Sequence, residues 1–298
     1  MECSVEKNNM DYEGNIIRPP SEAYSIILQA TVGCSHNKCT FCGTYAGRRF
    51  KIKDEGTILE DLAFAACYMK RQDRLFVCDG DGLIMPQKKL VWLLSRIREM
   101  LPWVRRVGMY ANAKSIRMKT DEELVRLREL GLGILYLGVE SGDDRVLEEI
   151  RKGSTAQNLI LQGQRVKAAG IKLSVTVLLG LGGPDGSLDH ARATGRLLTE
   201  MDPDYVGALT LMLIPGTPLG EAHQRGEFEL PDQYVMLREL REMVAATDLS
   251  RGLFFANHAS NYLPVKIRYP GGKDKALSLI DQALQGRVEL KPEWMRAL

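Results

Sequence analysis

The sequence is poor in the residues that build most specialised sites. Four histidines, three tryptophans and six cysteines among 298 residues leave little material for a histidine-rich metal centre or a disulfide scaffold. Neither sign of charge dominates: 40 basic against 38 acidic side chains give +2 at pH 7, without the overall footprint of a nucleic-acid binder. Long apolar runs are missing as well. The stretch 173–182 falls far short of the about 20 residues that cross a bilayer, so no membrane-spanning helix is expected from it. Residues 1–23 are polar, with Glu2, Glu6, Lys7, Asp11 and Glu13, and read as neither secretory signal nor transit peptide. "GGK" at 271–273 lacks the spacing of a phosphate loop. A cytoplasmic, reducing location without membrane association is expected, and a composition 45% hydrophobic and 26% charged is that of a globular protein with a sizeable core.

Against this scarcity, half of the cysteines fall in one loop. "TVGCSHNKCTFCGTY" (31–45) places Cys34, Cys39 and Cys42 within nine residues. In a reducing compartment such a cluster reads as a metal site before a disulfide framework. Cys3, Cys67 and Cys78 are too scattered to form a second one; Cys67 falls mid-helix and reads as core, and Cys78 ends the second strand, where core packing is the leading reading and a role at the working end the alternative.

Short β-branched runs alternate with amphipathic stretches along the chain. Strands are expected at 24–30, 74–78, 106–111, 134–140, 171–180 and 205–213. Helices are expected between them, over 56–72, 86–101, 120–131, 143–151, 155–169 and 188–201. The strands are near-continuously apolar, as in a parallel sheet covered on both faces. Six right-handed βα units curl into a (β/α)6 partial TIM barrel whose working face lies at the strand C-terminal ends; a doubly wound open sheet fits the same pattern. Further helices are expected at 231–247 and 273–285. The expected organisation is an N-terminal extension (1–23), an α/β core (24–225) and a C-terminal helical and loop extension (226–298) covering it.

The cysteine loop follows the first strand, at the working end. A structural zinc ion takes four ligands, usually from two separated pairs; His36 could be a fourth, but no second Cys-x2-Cys pair exists. Three thiolates suit a [4Fe–4S] cluster with one iron left open to a small molecule.

At this point the chain resembles the radical S-adenosylmethionine (SAM) superfamily, in the branch of Elongator-type, methylthiotransferase and coproporphyrinogen-oxidase enzymes. The features are three cysteines after the first strand and an aromatic, Phe41, just before the last of them. The spacing here is Cys-x4-Cys-x2-Cys, one residue longer than the usual first gap. The resemblance implies cluster ligation by Cys34, Cys39 and Cys42 and SAM as the second cofactor. In "CDGDG" (78–82), Asp79, Gly80 and Asp81 occupy the place of a turn that holds the methionyl amine. "GVESGDDRVLEEIRKGST" (138–155) supplies Glu140 and Ser141 as SAM contacts and Lys152 as a partner for its carboxylate. "VTVLLGLGGPD" (175–185) supplies Thr176 beside the ribose and adenine, and "LMLIPGTPL" (211–219) supplies Met212 at the sixth strand end. The implied reaction is reductive cleavage of SAM to a 5′-deoxyadenosyl radical that abstracts hydrogen from substrate, an oxidoreductase-type chemistry fed by a donor such as flavodoxin or ferredoxin.

Three functions compete. The leading one is an enzyme acting on a small-molecule substrate. An RNA-modifying enzyme is the second; the short C-terminal extension and the lack of a basic tail argue against it, and the 33 residues before Cys34 argue against a preceding cobalamin domain. The third is a non-enzymatic iron–sulfur or zinc protein. In "FFANHASNYLP" (254–264), polar side chains gather between apolar flanks, and this segment is expected to cover the barrel mouth with His258 as candidate catalytic residue. A turn capped by its own side chains is the plainer alternative.

Overall fold

A computed structural model of the chain describes residues 9–297. Cys3 and the first part of the expected N-terminal extension lie outside them. Among the described residues ten strands form: β1 (Ile26–Leu28), β2 (Thr31–Val32), β3 (Lys51–Ile52), β4 (Arg74–Val77), β5 (Arg106–Ala111), β6 (Leu132–Glu140), β7 (Lys172–Leu179), β8 (Tyr205–Thr210), β9 (Gly252–Ala256) and β10 (Val265–Tyr269). The helices are α1 (Glu55–Tyr68), α2 (Gln87–Met100), α3 (Ala113–Arg117), α4 (Asp121–Glu129), α5 (Asp144–Glu149), α6 (Ala156–Ala168), α7 (Gly183–Met201), α8 (Pro218–Gln224), α9 (Gln233–Ala245) and α10 (Lys273–Leu284). Eight of the strands make up a mostly parallel sheet, so the α/β expectation holds.

The chain divides into two compact units. The first comprises residues up to Asn37, Tyr45–Leu137 and Arg165–Lys172. Here β1, β4 and β5 run parallel, and β5 continues the sheet to the opening part of β6. One face is fully apolar: Ile26, Leu28, Leu75, Val77 and Leu135 are all about 1% exposed or less. Thr120 opens α4 with a reciprocal capping box to Glu123, and Gly131 stops it at φ +107, the αL-side conformation that glycine adopts without penalty.

The second unit comprises Lys38–Thr44, Gly138–Gln164 and the chain from Leu173 onward. Strands β7, β8 and β9 are parallel and β10 closes the edge antiparallel to β9. Helix α7 packs on α9, and α9 on α10. Two findings differ from the sequence expectation. The extension after residue 225, expected as helices and loops, also contributes β9 and β10; the alternation in "VKIRY", with Val265, Ile267 and Tyr269 buried and Lys266 and Arg268 exposed, was the signal. Helix α7 starts at Gly183 rather than near residue 188, because Pro184 in its first turn carries no N–H to leave unsatisfied. No helix among the described residues is long and apolar enough to cross a membrane.

Candidate functional site

In the first unit, the turn after β4 is built around the start of the cysteine loop. The backbone N–H of Gly33 donates to Asp79 Oδ2 at 3.0 Å, and Gln29 Nε2 donates to the same oxygen at 2.9 Å. The Gly80 N–H donates to the Gly33 carbonyl at 3.1 Å. Asp79 is fully buried with φ +68, in the left-handed region where a non-glycine residue is held only by its surroundings. Gly80 has no room for a side chain: a Cβ there would stand 2.7 Å from Cys34 Cβ and 2.9 Å from Cys34 Cα and from the Tyr45 ring. Asp81, also fully buried, accepts from Ser35 Oγ at 2.5 Å and from Asn112 Nδ2 at 2.7 Å. Burial pushes its carboxyl up to about 6 and raises that of Asp79. Each of the two acids keeps one oxygen, Oδ1, without a hydrogen-bond partner among the described residues. The stretch expected to touch a cofactor thus also scaffolds Gly33, Cys34 and Ser35. Cys78, read as core, is fully buried, and burial raises its thiol well above the ordinary range.

In the second unit, the end of the loop is held by backbone. The Thr40 N–H donates to the Ile150 carbonyl at 3.0 Å, and the Thr40 carbonyl accepts from Leu219 N at 2.9 Å. A Cβ on Gly43 would lie 2.9 Å from Ile214 Cγ2. Cys39, Phe41 and Cys42 are half-buried, as is Cys34 in the first unit. Cys67 on α1 is half-buried rather than core.

Glu140 and Lys152, expected as separate contacts, form an ion pair at 2.9 Å, with side chains 11% and 12% exposed. Glu140 sits at φ +66 at the end of β6, and the pair lies directly over Gly138, where a Cβ would meet Glu140 Oε1 at 2.3 Å. Ser141 is buried and its Oγ accepts from Asp143 N at 2.9 Å, opening α5. Thr176 and Met212 are half-buried. The glycine turn between β7 and α7 carries a feature that sequence reasoning missed: Glu239 of α9, fully buried, accepts from Gly180 N at 2.7 Å, Ser187 Oγ at 2.5 Å and His190 Nδ1 at 3.0 Å. No local signal marks it, because its partners lie at least 49 residues away.

The 254–264 segment ties down the end of β8. Asn261, buried, accepts from Thr210 Oγ1 at 2.7 Å and donates to the Ala208 carbonyl at 2.9 Å. Arg296 binds the Ser260 and Leu211 carbonyls and stacks 4.3 Å over the Tyr262 ring. His258 is half-buried; its Nδ1 accepts from the Ser260 N–H at 3.2 Å, which assigns the proton to Nε2, and burial, then Lys291, lowers its pKa. Asn257 is exposed. Asn261 is therefore occupied in holding the fold.

Among the described residues, no three His, Cys, Asp or Glu side chains converge as ligands of a single metal ion. A zinc site needs that convergence; a [4Fe–4S] cluster does not, since each thiolate holds a different iron. The donor set, three half-buried thiols in nine residues, fits the cluster.

The family profile of the radical SAM superfamily matches residues 28–195. An uncharacterized methyltransferase of Pyrococcus horikoshii is 25% identical over 202 residues, covering 65% of this chain and 41% of its own length. A tRNA-2-methylthio-N(6)-dimethylallyladenosine synthase of Dehalococcoides mccartyi is 26% identical over 241 residues, covering 79% and 54%. The chain spans about half the length of these relatives. A solved radical S-adenosylmethionine methyltransferase from Kitasatospora setae, with cobalamin and a [4Fe–4S] cluster bound, superposes with TM-score 0.56 at 16% identity, over 90% of this chain and 55% of that one. At that identity the likeness concerns the fold.

Proposed function

The chain belongs to the radical SAM superfamily, and on that premise we propose that it is an enzyme that holds a [4Fe–4S] cluster on Cys34, Cys39 and Cys42, binds SAM, and acts on a small molecule. The observation that carries this reading is the approach of Gly80 to Cys34. A turn matching the amine-binding position is packed without a side chain's width of space against the first expected cluster ligand. Held on these three thiolates, a reduced [4Fe–4S] cluster would supply the one-electron chemistry for reductive cleavage of a C–S bond of bound SAM, the source of the 5′-deoxyadenosyl radical that would take hydrogen from substrate.

The protein's own residues have separable tasks. The buried Asp79 and Asp81 each retain an oxygen without a partner, and an ammonium such as the methionyl amine satisfies that need. Glu140 and Lys152 stand in contact, so a zwitterionic ligand meets both signs of charge in one place. Phe41, Thr176 and Met212 flank the adenosine, Ser141 fixes the backbone after Glu140, and Glu239 fixes the glycine turn through Gly180. His258, a neutral imidazole at pH 7 with its proton on Nε2, is the candidate to orient substrate. An iron–sulfur or flavin electron carrier would supply the reductant. Anaerobic incubation with SAM and dithionite tests the reading: 5′-deoxyadenosine should be released, and its absence from a cluster-loaded sample refutes the proposal.

A second reading, RNA modification, draws on the tRNA-directed names among the relatives. It predicts binding to transfer RNA that weakens steeply with salt; binding that does not change with salt, or none, leaves the small-molecule reading.

A further inference from the structure

The second unit carries a face of which the assignments above use only Thr176, at one edge. The strand registers place Thr176 of β7 beside Gly207 of β8, Gly207 beside Phe255 of β9, and Phe255 opposite Lys266 of β10. The next row is Ser174, Tyr205, Leu253 and Arg268. Residues paired in register share a face, so these eight lie on one side of the sheet. Their strand neighbours Val175, Val206, Phe254 and Ile267 are all fully buried on the other. On the near side Lys266 and Arg268 are exposed, and the other six are half-exposed.

The chemistry of this face is lopsided. Lys266 Nζ stands 5.6 Å from the centre of the Phe255 ring, and neither Lys266 nor Arg268 has an acidic partner among the described residues. Gly207 leaves a gap between Thr176 and Phe255: a Cβ there would meet nothing closer than 3.7 Å. A half-exposed aromatic, a recess beside it and two cations without counter-charges form a surface complementary to a flat, apolar group bearing a negative charge.

We propose that this face, Thr176–Gly207–Phe255–Lys266 with Arg268 alongside, is the substrate-recognition platform, and that the substrate is a small anionic molecule with a planar ring, its carboxylate or phosphate held by Lys266 and Arg268. The inference rests on the enzyme reading for its place beside Thr176, but its charge and geometry stand without it. The recess left by Gly207 admits the ring edge, Phe255 supplies the apolar floor, and the two cations of the edge strand set the polarity of the bound molecule. The hydroxyls of Ser174 and Thr176 lie on the same side of the sheet, where they can meet substituents that distinguish one substrate from another.

The test uses the full chain, cluster-reconstituted, and titrates three probes by calorimetry: phenyl phosphate, benzoate and uncharged phenol. The charged probes should bind more tightly than phenol, and whichever of the two is tighter identifies the acid. Lys266→Met combined with Arg268→Met should weaken the charged probes about 10-fold or more and leave phenol unchanged. Both positions are exposed, so folding is not at stake, and Phe255→Ala should weaken all three probes. Charged probes that bind no better than phenol, or that bind the double variant as tightly as the parent, overturn the proposal. Iron content and 5′-deoxyadenosine release from the same samples keep the two ideas apart. Normal cleavage without probe binding sinks the platform alone, and probe binding without cleavage sinks the radical reading alone.

Discussion

The two ends of the cysteine loop are held by opposite means. The end that carries Cys34 is fixed by buried carboxylates and by a glycine with no free volume: Asp79 clamps Gly33, Asp81 clamps Ser35, and Gly80 touches Cys34 itself. The end that carries Cys39 and Cys42 is fixed by backbone hydrogen bonds through Thr40 and by apolar contact of Gly43 with Ile214. A side-chain clamp in the core fails when one group is removed, because its partners are left buried and unsatisfied. A backbone clamp survives most side-chain changes. The first end should therefore be fragile and the second tolerant.

Gly80→Val should have the largest effect. The new side chain collides with the Cα and Cβ of Cys34, and backbone cannot yield as a flexible side chain does, so about 3 kcal/mol of stability should be lost together with the cluster. Urea unfolding of the apoprotein and iron analysis measure the two losses. A stable, iron-loaded variant breaks the contrast.

Asp81 should give the next largest effect, as a function of pH. Its pKa is raised by burial from the ordinary 3.9 or so to about 6, so the folded state holds its proton more tightly than the unfolded state. The stability it contributes is fullest below about pH 4 and declines as pH rises to about 6, a difference of about 3 kcal/mol. Asp81→Asn removes this titration. Relative to the parent, the variant should gain stability between pH 4 and 6, and parallel curves would show that Asp81 is not protonated in the fold.

Asp79→Ala strips the acceptor from Gly33 N–H and from the Gln29 amide and should cost about 2 kcal/mol by urea unfolding. At the other end, Thr40→Val replaces a buried hydroxyl that has no hydrogen-bond partner among the described residues. It should change stability by less than about 0.5 kcal/mol in the same assay, since no bond is lost. A large loss at Thr40 would mean that both ends are clamped alike.

Much of this was legible in the residues. The six expected strands all form in the sheet, because each is an apolar run bounded by turn residues, and local pattern decides such elements. The cysteine loop and the "CDGDG" turn were visible as a spacing and a place in the order of elements. What the turn does for the loop was not, since the bonds from Asp79 to Gly33 and from Asp81 to Ser35 each join residues 46 apart. The Glu140–Lys152 pair spans 12 residues, and both members were expected, though not as partners. Glu239 carried no signal at all, because one glutamate in an amphipathic helix looks like any solvated charge until its partners are known. Strands β9 and β10 flank the polar cluster of 257–262, whose turn-forming residues read locally as a loop, while "VKIRY" alternates as a strand does.

The central claim is that Cys34, Cys39 and Cys42 hold a [4Fe–4S] cluster, and anaerobic reconstitution of the Cys34→Ala, Cys39→Ala, Cys42→Ala triple variant beside the parent tests it most directly. The parent should take up about four irons and four sulfides per chain, and the variant close to none while keeping its fold by circular dichroism. A folded triple variant that binds as much iron and sulfide as the parent would contradict the claim.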